Sequence, residues 1–374
     1  MILNGTLRRD GLVFKIMFAL KRCGLIAGLF LLIAPNMASA DWVEKGGLHN
    51  LSRSSFTDPK DMLHADFIDP EEKMRTWDRA VVWVPTGFNS SRRMSMEELL
   101  ETYTDSDEKF PTAIYMHGCT GLWSGSSLRM KFLADNGILA IGPASLARKK
   151  YAQSCNHFKH QGGMFREAVT VRRIDAAHAI GRAKSLPFVD AENMLLIGLS
   201  EGGITTATFT SMQKDLSVRA RVVEGWTCHT GWMDQVGVRA PASEPVLSLV
   251  GLNDPWFKEP YLQGHCGESM YNNNGSKSVV YETGQLSYRH ELLEFREVQE
   301  ETLAFLRQHM DLPLSVRDIQ KLLTELGYDP GPIDGAWGAK TLGAVNALRA
   351  GKSLPTVTKL DRASQKLLQS LKSR

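Results

Sequence analysis

Short apolar runs and longer amphipathic stretches take turns along most of this chain. Arg79–Pro85, Thr112–Met116, Gly137–Gly142, Met194–Ile197, Ala220–Gly225, Pro245–Val250 and Ser278–Glu282 are each too short for a helix and are predicted as strands. Ser126–Asn136, Phe165–Ser185 and about Glu291–His309 carry apolar residues at helical spacing and are predicted as helices. Strands alternating with helices imply an α/β fold, a mostly parallel sheet flanked by helices on both faces. Residues 41–77 are polar and broken by Asp58-Pro59 and Asp69-Pro70, which predicts a lead-in with little regular structure. Asn89–Lys109 reads as a polar connection with one short helix at Met96–Leu100. Beyond Pro313 the pattern changes. Val316, Ile319, Leu322, Leu323 and Leu326 repeat at helical spacing, Gly327 closes that helix, and further helices are expected over about 340–350 and 361–371.

One strand leads straight into candidate chemistry. Met194–Ile197 runs into Gly198-Leu199-Ser200-Glu201-Gly202-Gly203, and Ile204–Phe209 can continue as a helix. A serine on a strand-to-helix turn has its hydroxyl lifted clear of the sheet. Gly198 and Gly202 remove Cβ atoms that would crowd the turn, and Gly203 lets the helix lie close to the strand. The turn also aims the Glu201 amide at the oxyanion formed when Ser200 attacks a carbonyl. A second donor is expected from the loop His117-Gly118-Cys119-Thr120-Gly121, from the amide of Cys119 or Thr120. Cys119 could instead be a thiol nucleophile, but it has no elbow of its own.

Ser200 needs a base, and the base needs an orienting acid. In alternating folds with this elbow the chain order is nucleophile, acid, histidine. His290 follows the last strand and precedes the last long helix, which puts it at the carboxyl end of the sheet; His265, in a glycine-rich loop, is the alternative base. Asp254 directly follows a strand and is the expected acid, with Glu224 and Asp234 as fallbacks. Cys155-x-His157-x-x-His160 has a faint look of metal ligands but lacks a fourth, so no metal is assigned, and no cofactor is implied.

Composition is ordinary for a globular chain: 374 residues, 43% hydrophobic and 23% charged. The formal charge of +3 is misleading, because five Lys/Arg and one acid fall in the first 40 residues. Without them 39 basic residues face 40 acidic ones, which gives no electrostatic argument for nucleic acid. Residues 1–40 read as an export signal: Lys21-Arg22, an apolar stretch to Pro35 too short to span a bilayer, and Ala38-Ser39-Ala40 for cleavage before Asp41. Export to the periplasm or beyond leaves four cysteines, and an even count in an oxidising compartment favours disulfides. The expected pairs are Cys119–Cys155 and Cys228–Cys266, each joining neighbouring loops at one end of the sheet.

The loop 117–121, the Gly198–Gly203 elbow, the Asp254 turn and His290 together resemble the α/β-hydrolase fold, and within it the dienelactone hydrolase-like branch, over roughly residues 78–311. Members that gave the branch its name use cysteine as nucleophile. Ser200 stands there here, which points to ordinary ester or amide hydrolysis. Residues 313–374 resemble the small three-helix peptidoglycan-binding domain of wall enzymes, through Leu326-Gly327-Tyr328, Asp334–Gly338, Thr341, Leu354-Pro355 and Leu360-Asp361. Asn346–Arg349 departs from the aromatic-Gln pair usual there, and Trp337 could be core or contact. The two resemblances imply an exported serine hydrolase held at the cell wall and acting on wall-associated esters. An acyltransferase on the same triad, or a non-catalytic wall-binding protein, are the alternatives.

Overall fold

A computed structural model describes residues 42–45, 50–53, 55–210 and 214–372; the expected export signal lies outside the described residues. An eight-stranded sheet carries the larger part of the chain. Its strands are β1 (Val81–Gly87), β2 (Ser90–Met94), β3 (Phe110–Met116), β4 (Leu139–Gly142), β5 (Val189–Leu199), β6 (Ala220–Glu224), β7 (Val246–Gly251) and β8 (Lys277–Tyr281). They lie in the order β8-β7-β6-β5-β3-β4-β1-β2. From β4 through β8 every pairing is parallel, while β1 runs antiparallel to both β4 and β2.

Side-chain alternation along β5 explains its unbroken apolar run. Leu195 and Ile197 enter one core with Leu133, Val298 and Phe305. Met194 and Leu196 enter the other with Trp77, Leu99, Ile180 and Phe188. Both faces of the strand are therefore covered, as parallel sheets require. The covering helices are α1 (His64–Ile68), α2 (Pro70–Asp78), α3 (Met96–Tyr103), α4 (Ser124–Asp135), α5 (Ala168–Lys184), α6 (Glu201–Thr208) and α7 (Arg296–His309).

Three expectations need correction. The lead-in is not irregular: α1 and α2 form there, Asp69 caps α2 by accepting from the Glu71 amide, and Phe67 packs with Tyr151 and Val171. Residues 89–109 hold an edge strand, β2, as well as the short helix. Its sequence Ser-Ser-Arg-Arg-Met hides it, because an edge strand facing water needs no apolar alternation. Finally, α7 begins at Arg296 rather than near 291; a tight turn at Leu292–Glu294 comes first.

The tail forms α8 (Val316–Glu325), α9 (Ala339–Ala350) and α10 (Arg362–Lys372) around Ile319, Leu323, Val345, Leu348 and Leu368. Gly327 sits at φ 83° and ends α8, with the Tyr328 amide reaching back to the Leu323 carbonyl. Gln320 fixes the following loop: its amide nitrogen donates to Asp334 and Ala336, and its oxygen accepts from the Gly335 amide. Trp337 is partly buried and packs against this core. It stacks on Phe88, beside the β1–β2 turn, with ring centroids 6.2 Å apart.

Behind the sheet, Arg129 of α4 is fully buried and grips Glu224 at the end of β6 through two 2.7 Å bonds, while Glu224 also accepts from the Leu293 amide. Removing one partner strands a buried charge. Arg129→Met is expected to lower stability in urea unfolding by about 3–5 kcal/mol, and the double variant Arg129→Met/Glu224→Leu to lose less than the two single variants together.

Candidate active site

Ser200 stands between β5 and α6 at φ 59° and ψ −120°, a backbone conformation costly for any residue with a Cβ. It persists because the surroundings leave no alternative. A Cβ on Gly202 would lie 1.9 Å from the Met116 carbonyl oxygen, and one on Gly198 would lie 2.1 Å from the Gly202 carbonyl oxygen. The elbow is thus pressed onto the end of β3. The Ser200 amide donates to the Glu224 carbonyl at 2.8 Å, which ties the turn to β6 as well.

The loop after β3 lies against the serine. Gly121 donates to the Gly118 carbonyl at 3.1 Å, closing a turn with Cys119 and Thr120 at its centre. A Cβ on Gly118 would be 3.7 Å from Ser200 Cβ. Glu201, as the first residue of α6, has an amide with no intrahelical acceptor. The loop that carries Cys119 and Thr120 and the start of α6 therefore both lie beside Ser200.

Sequence reading did not single out Arg172 of α5, which sits behind this region fully buried. One guanidinium donates to the carbonyl of His117, to the Gly118 carbonyl at 3.5 Å and to Glu201 Oε1 at 3.3 Å. It joins the turn after β3 to the first residue after the serine. Burial pushes the neighbouring His117 well below the usual imidazole range, and the Arg172 charge pushes it further the same way. His117 is therefore neutral. Arginine is seldom fully buried, so no pattern in the sequence marks Arg172.

His290 Nδ1 lies 2.6 Å from Asp254 Oδ2, and Asp254 Oδ1 accepts from the Trp256 amide at 3.0 Å. Both side chains are buried. Gly225, at φ 63°, allows the close fit: a Cβ there would come within 3.1 Å of the imidazole. Trp256 stacks on the ring at 5.1 Å between centroids, and Phe257 packs at 5.8 Å. His290 Nε2 is buried with no hydrogen-bond partner. Burial disfavours the charged imidazole, but the Asp254 charge and hydrogen bond, helped by Glu291 and Glu224, outweigh it and raise the pKa.

Ser200, Glu201, Cys119 and His290 all line one cavity of about 370 Å³, walled by Trp226, Trp232, Trp256 and Phe257. The remaining candidates fall elsewhere. Glu224 is taken up by Arg129, Asp234 pairs with Arg166 at 2.6 Å on the surface, and His265 Nδ1 accepts from the Gly267 amide. Cys119 is bonded to Cys155 and Cys228 to Cys266, with Cα atoms 6.0 and 4.9 Å apart, so both expected pairs are present. Cys119 is accordingly no thiol nucleophile, and Cys155 no free metal ligand.

The chain has the α/β-hydrolase fold. Sheet order, elbow and site residues at the carboxyl ends of the strands carry that assignment. Among solved structures the chain is similar to a "Putative Dienelactone Hydrolase" from Klebsiella pneumoniae, at 17% identity and TM-score 0.41, over 61% of this chain and 99% of that one. It is also similar to an α/β serine hydrolase without a lid from Xanthomonas campestris, at 12% identity and TM-score 0.37, over 62% and 88%. An esterase from Thermogutta terrifontis gives 12%, 0.37, and 61% and 88%. Identities and scores this low carry no inference about substrate. No curated protein matches the sequence. Residues 314–358 match the family described as "Putative peptidoglycan binding domain", which identifies the tail domain.

In an NMR titration, His290 is expected to lose its proton above its ordinary value of 6.5. Asp254→Asn removes the charge that raises it, so the titration should then move to lower pH.

Proposed function

We propose that this chain is an exported serine hydrolase of the carboxylesterase type, held at the cell wall by its tail and acting on wall-associated esters. The observation that carries the catalytic reading is the pairing of His290 Nδ1 with Asp254, which leaves the buried Nε2 unpartnered in the cavity that Ser200 lines.

The chemistry follows from the tautomer. With its Nδ1 proton donated to Asp254, His290 presents a lone pair at Nε2. Nε2 takes the hydroxyl proton as Ser200 Oγ attacks the ester carbonyl, and the imidazolium that forms is stabilised by the Asp254 carboxylate. The carbonyl oxygen, now an oxyanion, accepts from the amides of Glu201 and of Cys119 or Thr120. Nε2 then protonates the departing alcohol, leaving an acyl-Ser200. Water repeats the cycle: it gives a proton to His290, attacks the acyl carbon and releases the acid. None of these steps calls for a cofactor or a metal.

The two disulfides support a location outside the reducing cytoplasm, and the tail's family supports contact with the wall polymer. Tethering of this kind raises the local concentration of wall-linked substrate. A non-catalytic binding protein on the same fold is the alternative; the sharing of one cavity by Ser200 and His290 favours the catalytic reading.

Hydrolysis of p-nitrophenyl acetate tests the reading. Ser200→Ala is expected to lower kcat by at least about 10⁴-fold and Asp254→Asn by about 10³–10⁴-fold. Because the base works deprotonated and its pKa is raised, the acid limb of kcat/KM should lie above pH 6.5. Wild-type turnover no faster than Ser200→Ala would refute the proposal.

A further inference from the structure

The walls of the Ser200 cavity are one-sided in their chemistry. Aromatic rings supply much of the surface: Phe165, Trp226, Trp232, Trp256, Phe257 and Tyr261. The charges are answered within the protein. Arg166 pairs with Asp234 at 2.6 Å, and Glu201 takes the Arg172 guanidinium at 3.3 Å. His290 is committed to Asp254. An ester bearing its own carboxylate therefore finds no spare cation on this wall among the described residues. A neutral, apolar acyl group meets no such desolvation cost.

Trp232 is the ring whose placement needs explaining. It stands half-buried on a loop and joins none of the apolar cores among the described residues. The loop is nonetheless fixed to the segment before α5. Gln235 Nε2 donates to the Arg166 carbonyl at 3.1 Å, and Asp234 accepts from the Arg166 side chain. The same guanidinium lies over the Trp232 ring, 5.9 Å from its centroid. Gly163 borders the ring too: it sits at φ 73°, and a Cβ there would come within 2.9 Å of the indole. An indole held this way contributes to the cavity wall rather than to a core. Because it is already ordered, it loses little freedom when a ligand stacks on it.

We infer that the Ser200 cavity selects esters of a flat, aromatic acyl group, and that Trp232 sets the preference by stacking on that group. The inference rests on the catalytic part of the proposed function and names its substrate class. Size agrees with it. An apolar cavity of about 150 Å³ takes up benzene, so about 370 Å³ admits a phenyl ring on a short linker beside the ester. Ring-on-ring contact adds to what burial alone supplies. A saturated ring of the same carbon count is buried as well but cannot stack.

Two p-nitrophenyl esters, the 3-phenylpropionate and the 3-cyclohexylpropionate, test this on the full chain with one leaving group. The ratio of their kcat/KM values is expected to favour the phenyl ester by about threefold to tenfold. Trp232→Leu, which keeps apolar bulk, should bring the ratio to about one, and Trp232→Phe should retain most of it. The hemisuccinate, whose acyl group carries a carboxylate, should be slower than either. Melting temperatures serve as the folding control, and the wild-type ratio decides even where a variant fails to fold. A wild-type ratio near one, a ratio that survives Trp232→Leu, or a hemisuccinate as fast as the phenyl ester overturns the inference. If Ser200-dependent turnover persists in that case, the proposed hydrolase stands without this preference. Isothermal titration of Ser200→Ala with the methyl esters of the same two acids reads the pocket apart from turnover. Tighter binding of the phenyl ester, lost on adding Trp232→Leu, supports the pocket even if no ester is hydrolysed; equal binding overturns it.

Discussion

One buried guanidinium holds the candidate site in register. Arg172 reaches from α5 to the turn after β3 and to Glu201 at the start of α6. Those are the two segments whose amides the proposed mechanism directs at one developing oxyanion. A few tenths of an ångström of slack between them would weaken that convergence, and a fully buried, multiply bonded arginine leaves little slack. On the outer side the Cys119–Cys155 bond ties the same turn to the loop over the cavity. The turn is thus fixed from behind by charge and from the front by covalence.

The strands stack further constraints on this one. The elbow can occupy its costly conformation because Gly202 lies against Met116, and Gly225 lets the His290 ring approach the end of β6. Glu224 serves both sides of β6: its carbonyl takes the Ser200 amide, while its carboxylate binds Arg129 and the turn that leads into α7. Serine and histidine are therefore referenced to the same strand end, although 90 residues of chain separate them. Trp256, stacked on the imidazole and giving its amide to Asp254, finishes the support.

Much of this was legible in the sequence wherever a local rule produced it. The apolar run before Gly198 read as a strand covered on both faces, and Met194–Ile197 is that. The cysteine pairs followed from loops meeting at one end of the sheet. The features that escaped were long-range or polar. Strand β2 looks like a polar connection because it is an edge. Helices α1 and α2 were masked by charged residues flanked by prolines. Arg129 and Arg172 carry no mark in the sequence, since only a folded neighbourhood shows which arginines are buried beside a carboxylate. Glu224, a fallback to Asp254 as orienting acid, is instead held by Arg129, a long-range pairing of the same kind.

The central claim is that the fold assembles an activated serine at position 200. Treating the native chain with a fluorophosphonate and mapping the adduct by peptide mass spectrometry tests it most directly. A single stoichiometric adduct on Ser200, absent after prior denaturation, is the result predicted. A folded chain that remains unlabelled, or that carries its adduct on another residue, would contradict the account.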